Sequence, residues 1–131
     1  MSKYVVNGIR LIPTEDEEQT WLFSWAELNM GRFPELKLMH HIPNGGKRSK
    51  SEAARFKAMG VKPGVSDVFL PVPRGKYHGL YIELKALDGR PSKDQKDFIT
   101  AVVEQGYAGF VAYGGEEAAG IVEAYLKGVG I

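Results

Sequence analysis

Asp67, Glu83 and Lys85 are the residues whose types and spacing bear most directly on chemistry. They sit in two apolar segments of strand length, Gly64-Val65-Ser66-Asp67-Val68-Phe69-Leu70 and Leu80-Tyr81-Ile82-Glu83-Leu84-Lys85-Ala86. A charge in such a segment needs a partner or a purpose. Asp67 lies eight residues before Gly75 and Glu83 eight after it, so an antiparallel hairpin turning near Gly75 sets the two carboxylates side by side. Lys85, two residues past Glu83, shares its face. Two carboxylates and an ammonium on one strand pair suit a hard divalent cation and a phosphate polarised by it. The carbonyl of Leu84 is the natural backbone oxygen for such an ion, and Lys85 can orient a water or stabilise charge on a phosphoryl oxygen. The same Glu-x-Lys spacing also fits an ion pair on a half-wet strand. Tyr81, on the face of Glu83, either packs there or meets a substrate.

The elements that must position these groups can be traced from caps and breakers. Thr14, with Glu17 at the third helical position, opens a helix over residues 14–29 that Gly31 and Pro34 end. At about 100° per residue, Leu22, Trp25 and Ala26 form its buried stripe. Glu15, Glu18 and Gln19 continue that stripe toward the N-terminus, so Glu15 and Glu18 are equally placed to reach the sheet, while Glu17 is explained by capping. Residues 36–42 are expected to form a strand ended by Pro43-Asn44-Gly45-Gly46, with His40 and His41 on opposite faces as surface or packing residues. Ser49 and Glu52 cap a helix over residues 49–59, and Gly60 ends it. After the hairpin, Ser92 and Gln95 cap a helix carrying Phe98, Ile99, Val102 and Val103, with Gln95 facing inward. A strand over 107–113 and a helix over 116–127 close the chain, and residues 4–12 form an edge strand or a packed arm. This order predicts an α/β fold, a mixed central sheet flanked by helices.

The length of 131 residues fits a single domain spanning 1–131. With 44% apolar and 25% charged residues the chain is ordinary for a globular protein, and with no cysteine it has no disulfide, thiolate zinc site or cysteine nucleophile. No apolar run reaches membrane-spanning length and no secretory core precedes Arg10, which makes a cytoplasmic location the expectation. Net charge is +1, yet it is unevenly spread. Residues 14–35 carry six acids against one base, and residues 47–62 six bases against one acid. Lys47, Arg48, Lys50, Arg55 and Lys57, with the Asn44-Gly45 loop before them, form a candidate polyanion contact; a solvated helix face would look the same. Gly60 to Gly64 lacks the strand before it and the Lys-Ser ending of a phosphate loop, Glu116 and Glu117 discourage an anion at Gly114-Gly115, and no serine sits in a nucleophile elbow.

Taken together, Glu15-x-x-x-Gln19, Pro43-Asn44-Gly45-Gly46, Ala54 and Lys57 before Gly60-Val61, Gly64-Val65-Ser66-Asp67, Ile82-Glu83-Leu84-Lys85, Gln95 and Gly106-Tyr107 resemble the PD-(D/E)XK nuclease superfamily. More narrowly the set is similar to the virus-type replication-repair nuclease (VRR-Nuc) family in its minimal stand-alone phage and bacterial form. The ordered set covers nearly the whole chain. The resemblance implies a restriction-endonuclease-like core and a magnesium-dependent DNA endonuclease, with manganese able to substitute. It makes Asp67 and Glu83 metal ligands with the Leu84 carbonyl, Lys85 the catalytic lysine, Gln95 an assisting residue, and Glu15 rather than Glu18 the first-helix acid, acting directly or through water. It further implies a homodimer cutting branched DNA such as Holliday junctions. Ser66 stands where the superfamily often has proline. Trp21, Trp25 and Phe33 are left as core or dimer surface.

Overall fold

Each of the three expected hydroxyl caps closes a full capping box: Thr14 with Glu17, Ser49 with Glu52, and Ser92 with Gln95 exchange side-chain and backbone hydrogen bonds. Two otherwise orphaned N–H groups are satisfied at each helix start, which fixes where the helices begin. The computed structural model describes residues 5–43 and 49–130. Within them run β1 (Val5–Val6), β2 (Ile9–Arg10), α1 (Glu15–Asn29), a 3-10 helix (Pro34–Leu38), β3 (His40–His41), α2 (Lys50–Ala58), β4 (Val68–Leu70), β5 (Leu80–Lys85), α3 (Lys93–Glu104), β6 (Ala108–Tyr113) and α4 (Gly115–Lys127).

The four-stranded sheet has the order β3-β4-β5-β6. β3, β4 and β5 pair antiparallel, and β6 lies parallel to β5 because α3 carries the chain back across the sheet. The hairpin turns at Gly75 and Lys76, where Arg74 and Tyr77 exchange hydrogen bonds of 3.1 and 2.8 Å and Gly75 takes a φ of 54°. The mixed sheet and the turn near Gly75 therefore stand as the sequence predicts. Leu80, Ile82 and Leu84 alternate onto one face of β5 and pack with Val68, Leu70 and Ala112 against Leu22 and Ala26 of α1 and Val122 and Tyr125 of α4. Burying each large apolar side chain contributes roughly 1.5–3 kcal/mol. The Tyr125 hydroxyl donates to the Val72 carbonyl at 2.6 Å, and Arg74 joins Leu126 O to the Glu35 carboxylate, so the hairpin tip is tied to α4 and the 3-10 helix. α3 covers the opposite face of β6, where Ile99 and Val103 rest on Gly109.

Two segments differ from their expected form. The strand expected over 36–42 is reduced to His40–His41, because Pro34 opens a 3-10 helix that turns Leu36 into the core. Among the described residues the lead-in joins no edge of the main sheet; Val5–Val6 and Ile9–Arg10 pair with each other through the left-handed Asn7-Gly8 turn, and Arg10 pairs with Asp88 at 2.9 Å. Trp25 and Phe33 pack on the core, whereas Trp21 remains 45% exposed beside Glu116 and Glu123.

Candidate active site

β4 ends as a backbone ladder at Val68, opposite Ile82. One step further, the Asp67 side chain takes over: its Oδ2 accepts the Leu84 N–H at 2.9 Å. In an extended strand the N–H and C=O of one residue point to the same edge, so the Leu84 carbonyl also faces the Asp67 side. The Lys85 carbonyl faces the other way and accepts the Gly114 N–H at 2.8 Å. The continued register brings Asp67 opposite Glu83. From the neighbouring strand, Ile42 N–H and the His41 ring nitrogen both meet the Asp67 carbonyl, at 2.7 and 2.9 Å, and hold the residue's backbone from behind.

Glu83 is completely buried, and Lys85 is 8% exposed. The Lys85 ammonium lies 3.5 Å from Glu83 Oε1 and 3.9 Å from Glu15 Oε2, so it bridges β5 to the first turn of α1. The phase of α1 behaves as expected, with Glu15, Glu18 and Gln19 half-buried and Asp16 and Glu17 exposed. The two inward acids then separate. Glu15 reaches Lys85, whereas Glu18 Oε1 accepts the Gly115 N–H at 3.0 Å, a carboxylate capping the positive end of α4. A Cβ at Gly115 would lie 2.6 Å from Glu18 O, so only glycine allows this approach.

Burial lifts the Glu83 carboxyl to about 8, with the neighbouring charge of Asp67 as the second cause and Lys85 opposing both. Burial also raises Asp67, against the Leu84 hydrogen bond and the charges of Lys85 and His41, and raises Glu15 against the charge of Lys85. Among the described residues neither Glu83 oxygen has a hydrogen-bond partner, although Lys85 pairs with Oε1 at 3.5 Å; when protonated, Glu83 can donate to Asp67. A buried carboxylate pair left with unsatisfied oxygens fits a hard cation, which favours the doubly ionised state that burial disfavours. Among the described residues no three His, Asp or Glu side chains are gathered as a metal site. To hold such a cation, Asp67 and Glu83 would need the Leu84 carbonyl and water to complete a shell; Glu15 stands on the lysine side of the cluster.

Gln95 is engaged at its own helix start. Its Oε1 accepts the Ser92 N–H at 2.8 Å in the capping box, and among the described residues it makes no hydrogen bond to the carboxylates or Lys85. Its helix start nonetheless abuts the site loop: Gly64, at φ +82°, runs against the Asp94 carbonyl. His41 is legible in the sequence only as a surface or packing residue, because its contact with Asp67 depends on the pairing of β3 with β4. Of the expected nucleic-acid contacts, Lys50, Arg55 and Lys57 are exposed on α2, a helix with no buried residue, where the Arg55 guanidinium lies 5.1 Å from the Phe56 ring centroid. Asn44, Gly45, Lys47 and Arg48 lie outside the described residues.

Comparison with known proteins agrees with this geometry. The VRR-NUC domain family model matches residues 13–116, from the helix that carries Glu15 to the start of α4. A solved VRR_NUC domain protein superposes with a TM-score of 0.76 at 35% identity, covering 88% of this chain and 89% of its own. No curated protein matches. No described helix is long and apolar enough to cross a membrane. With the sheet, the hairpin carboxylates and the first-helix acid all inside the matched span, the chain belongs to the VRR-NUC family of nucleases.

Proposed function

We propose that this protein is a single-domain, magnesium-dependent endodeoxyribonuclease that hydrolyses phosphodiester bonds in branched DNA, such as four-way junctions, as a homodimer. The observation that carries this reading is the buried Glu83 carboxylate, opposite Asp67 and 3.5 Å from the Lys85 ammonium, with neither oxygen hydrogen-bonded among the described residues. Asp67, Glu83 and the Leu84 carbonyl would hold the ion, and manganese, another oxygen-seeking cation, would substitute. When bound, the cation polarises the phosphodiester and lowers the pKa of water at the site.

The remaining steps belong to the chain itself. Lys85, nearly enclosed and fixed between Glu83 and Glu15, presents a positive charge where negative charge grows on the phosphoryl oxygens. Glu15, raised by burial, holds that ammonium in place and can accept a proton from a water on its side of the cluster. Asp67 is kept from rotating by Leu84 N–H, and its backbone by His41 and Ile42. The exposed cations Lys50, Arg55 and Lys57 of α2 suit the DNA backbone and carry no base readout. A two-fold dimer would present two such sites to a junction for paired cuts.

The test is cleavage of a labelled four-way junction in magnesium by the wild type and by Lys85→Ala. Removing the ammonium should slow cleavage by roughly 100-fold or more, with gel-shift binding of the junction retained. Equal cleavage by both proteins would overturn the assignment, and binding without cleavage by the wild type would make this a DNA-binding module.

A further inference from the structure

A row of aromatic rings crosses the sheet on the face of Glu83. His40, Phe69 and Tyr81 are register neighbours on β3, β4 and β5. The Phe69 and Tyr81 rings stack at 4.3 Å between centroids, and the His40 ring stands edge-on to Phe69 at 5.8 Å. Tyr81 meets Phe98 of α3 and Tyr107 at 5.3 and 5.4 Å, which closes the inner end of the row. At the outer end Phe69 is half-exposed and His40 exposed. Phe69 and Tyr81 each precede or follow a site carboxylate by two residues, roughly 7 Å along the strand, about the reach of one nucleotide.

His40 also lines an open groove of about 600 Å³ between α1 and β3, whose other walls include Gln19, Phe23, Ser24, Glu27 and His41. The groove neighbours the site along two elements: Gln19 is one helical turn beyond Glu15, and His41 is bonded to the Asp67 carbonyl. Its lining holds no lysine or arginine and has one carboxylate, Glu27, which is wrong for a phosphate. An amide, hydroxyls, a carboxylate acceptor and aromatic faces are what a nucleobase needs, one face to stack and one edge to pair.

We propose that an unpaired nucleobase next to the scissile phosphate is held at this edge, stacked on His40 with Phe69 behind it and its polar edge toward Gln19 and Glu27. The proposal rests on the nuclease reading and gives it a selectivity: DNA whose strands have parted at the cleavage point offers a base to this groove, and continuous duplex does not. The test uses a flap duplex with 2-aminopurine at the first unpaired position, and the matching duplex with 2-aminopurine paired, bound with calcium as the divalent cation. Wild type should quench the unpaired probe on binding. His40→Ala, a change at an exposed position, should abolish the quench and weaken flap binding about tenfold while duplex binding stays the same. Phe69→Leu, which keeps the bulk and removes the ring, should act in the same direction. Unchanged quenching and flap affinity in both variants, or equal weakening on flap and duplex, would overturn the base site alone. A wild type that binds neither DNA would overturn the nuclease reading and the base site with it.

Discussion

Without metal, the folded protein should lose stability as pH rises from about 4.5 to about 8, and Glu83 should be the cause. In the unfolded chain Glu83 titrates near 4.5; in the fold, burial and Asp67 hold its proton to about 8. Between those values the native state binds more protons than the unfolded state, so the unfolding free energy falls with rising pH and levels off above 8. Every pH unit between the two titration points is worth about 1.4 kcal/mol, so complete ionisation removes up to roughly 5 kcal/mol. For a chain of this size that is a fall in melting temperature of roughly 10 °C or more. Magnesium should reverse the trend, since its ligands must be ionised: at pH 8 and above it should raise the melting temperature, and below that it should release about one proton per ion bound. The assay is thermal unfolding in EDTA from pH 5 to 9, repeated with magnesium, on the wild type and on Glu83→Gln. The substitution removes the Glu83 titration, so the difference in melting temperature between the two proteins reports the Glu83–Asp67 pair and leaves out Glu15. A wild-type profile parallel to that of Glu83→Gln would refute the buried, proton-holding pair.

Three further outcomes follow from single interactions. Replacing Arg55 and Lys57 with alanine should weaken DNA binding at every sequence and lower the salt-dependence slope by about one for each phosphate no longer neutralised; an unchanged slope would take α2 off the DNA. Gly64→Ala forces a Cβ to within 2.3 Å of the Asp94 carbonyl at a φ of +82°, so urea unfolding should show a loss of about 2–4 kcal/mol, and a midpoint equal to that of the wild type would show that the loop yields freely. Tyr125→Phe leaves the buried Val72 carbonyl without its 2.6 Å donor and should cost about 1–3 kcal/mol by the same measurement.

The sequence displays what short-range physics decides. A capping box is closed by residues three apart, so Thr14, Ser49 and Ser92 announce their helices. The hairpin register is legible because Asp67 and Glu83 are symmetric about Gly75, and the turn there can be inferred from that glycine's place midway between two apolar runs. The reduction of the 36–42 strand is hidden because Leu36 is apolar in either form, and only the core beneath it decides for the 3-10 helix. Gln95 shows a different limit. The sequence suits it both to a cap and to a place in the site, but its amide oxygen serves Ser92 N–H, and the helix start that this fixes is what Gly64 packs against. His41 on Asp67 and Glu18 on Gly115 join residues 26 and 97 positions apart, and no local pattern encodes such pairs.

Helix phase makes Glu15 and Glu18 equivalent, and the fold uses that equivalence by giving them successive tasks. Glu18 fastens α1 to the N-terminus of α4, whose glycine allows the backbones to touch. With that turn of α1 fixed, Glu15 one turn earlier is held within reach of Lys85 even though it is itself 44% exposed at the side chain. Exchanging the two roles is not possible, because α4 begins beside Glu18 and β5 ends beside Glu15. Ionising the buried Glu83 carboxylate, which has Lys85 at 3.5 Å but no hydrogen bond among the described residues, is costly to the fold, and Leu22, Ile82, Leu84 and Val122 pack together in the core on the other side of the sheet. A cation bound there as proposed would relieve that cost, so stability in EDTA and affinity for magnesium should move in opposite directions in any variant that changes the burial of Glu83.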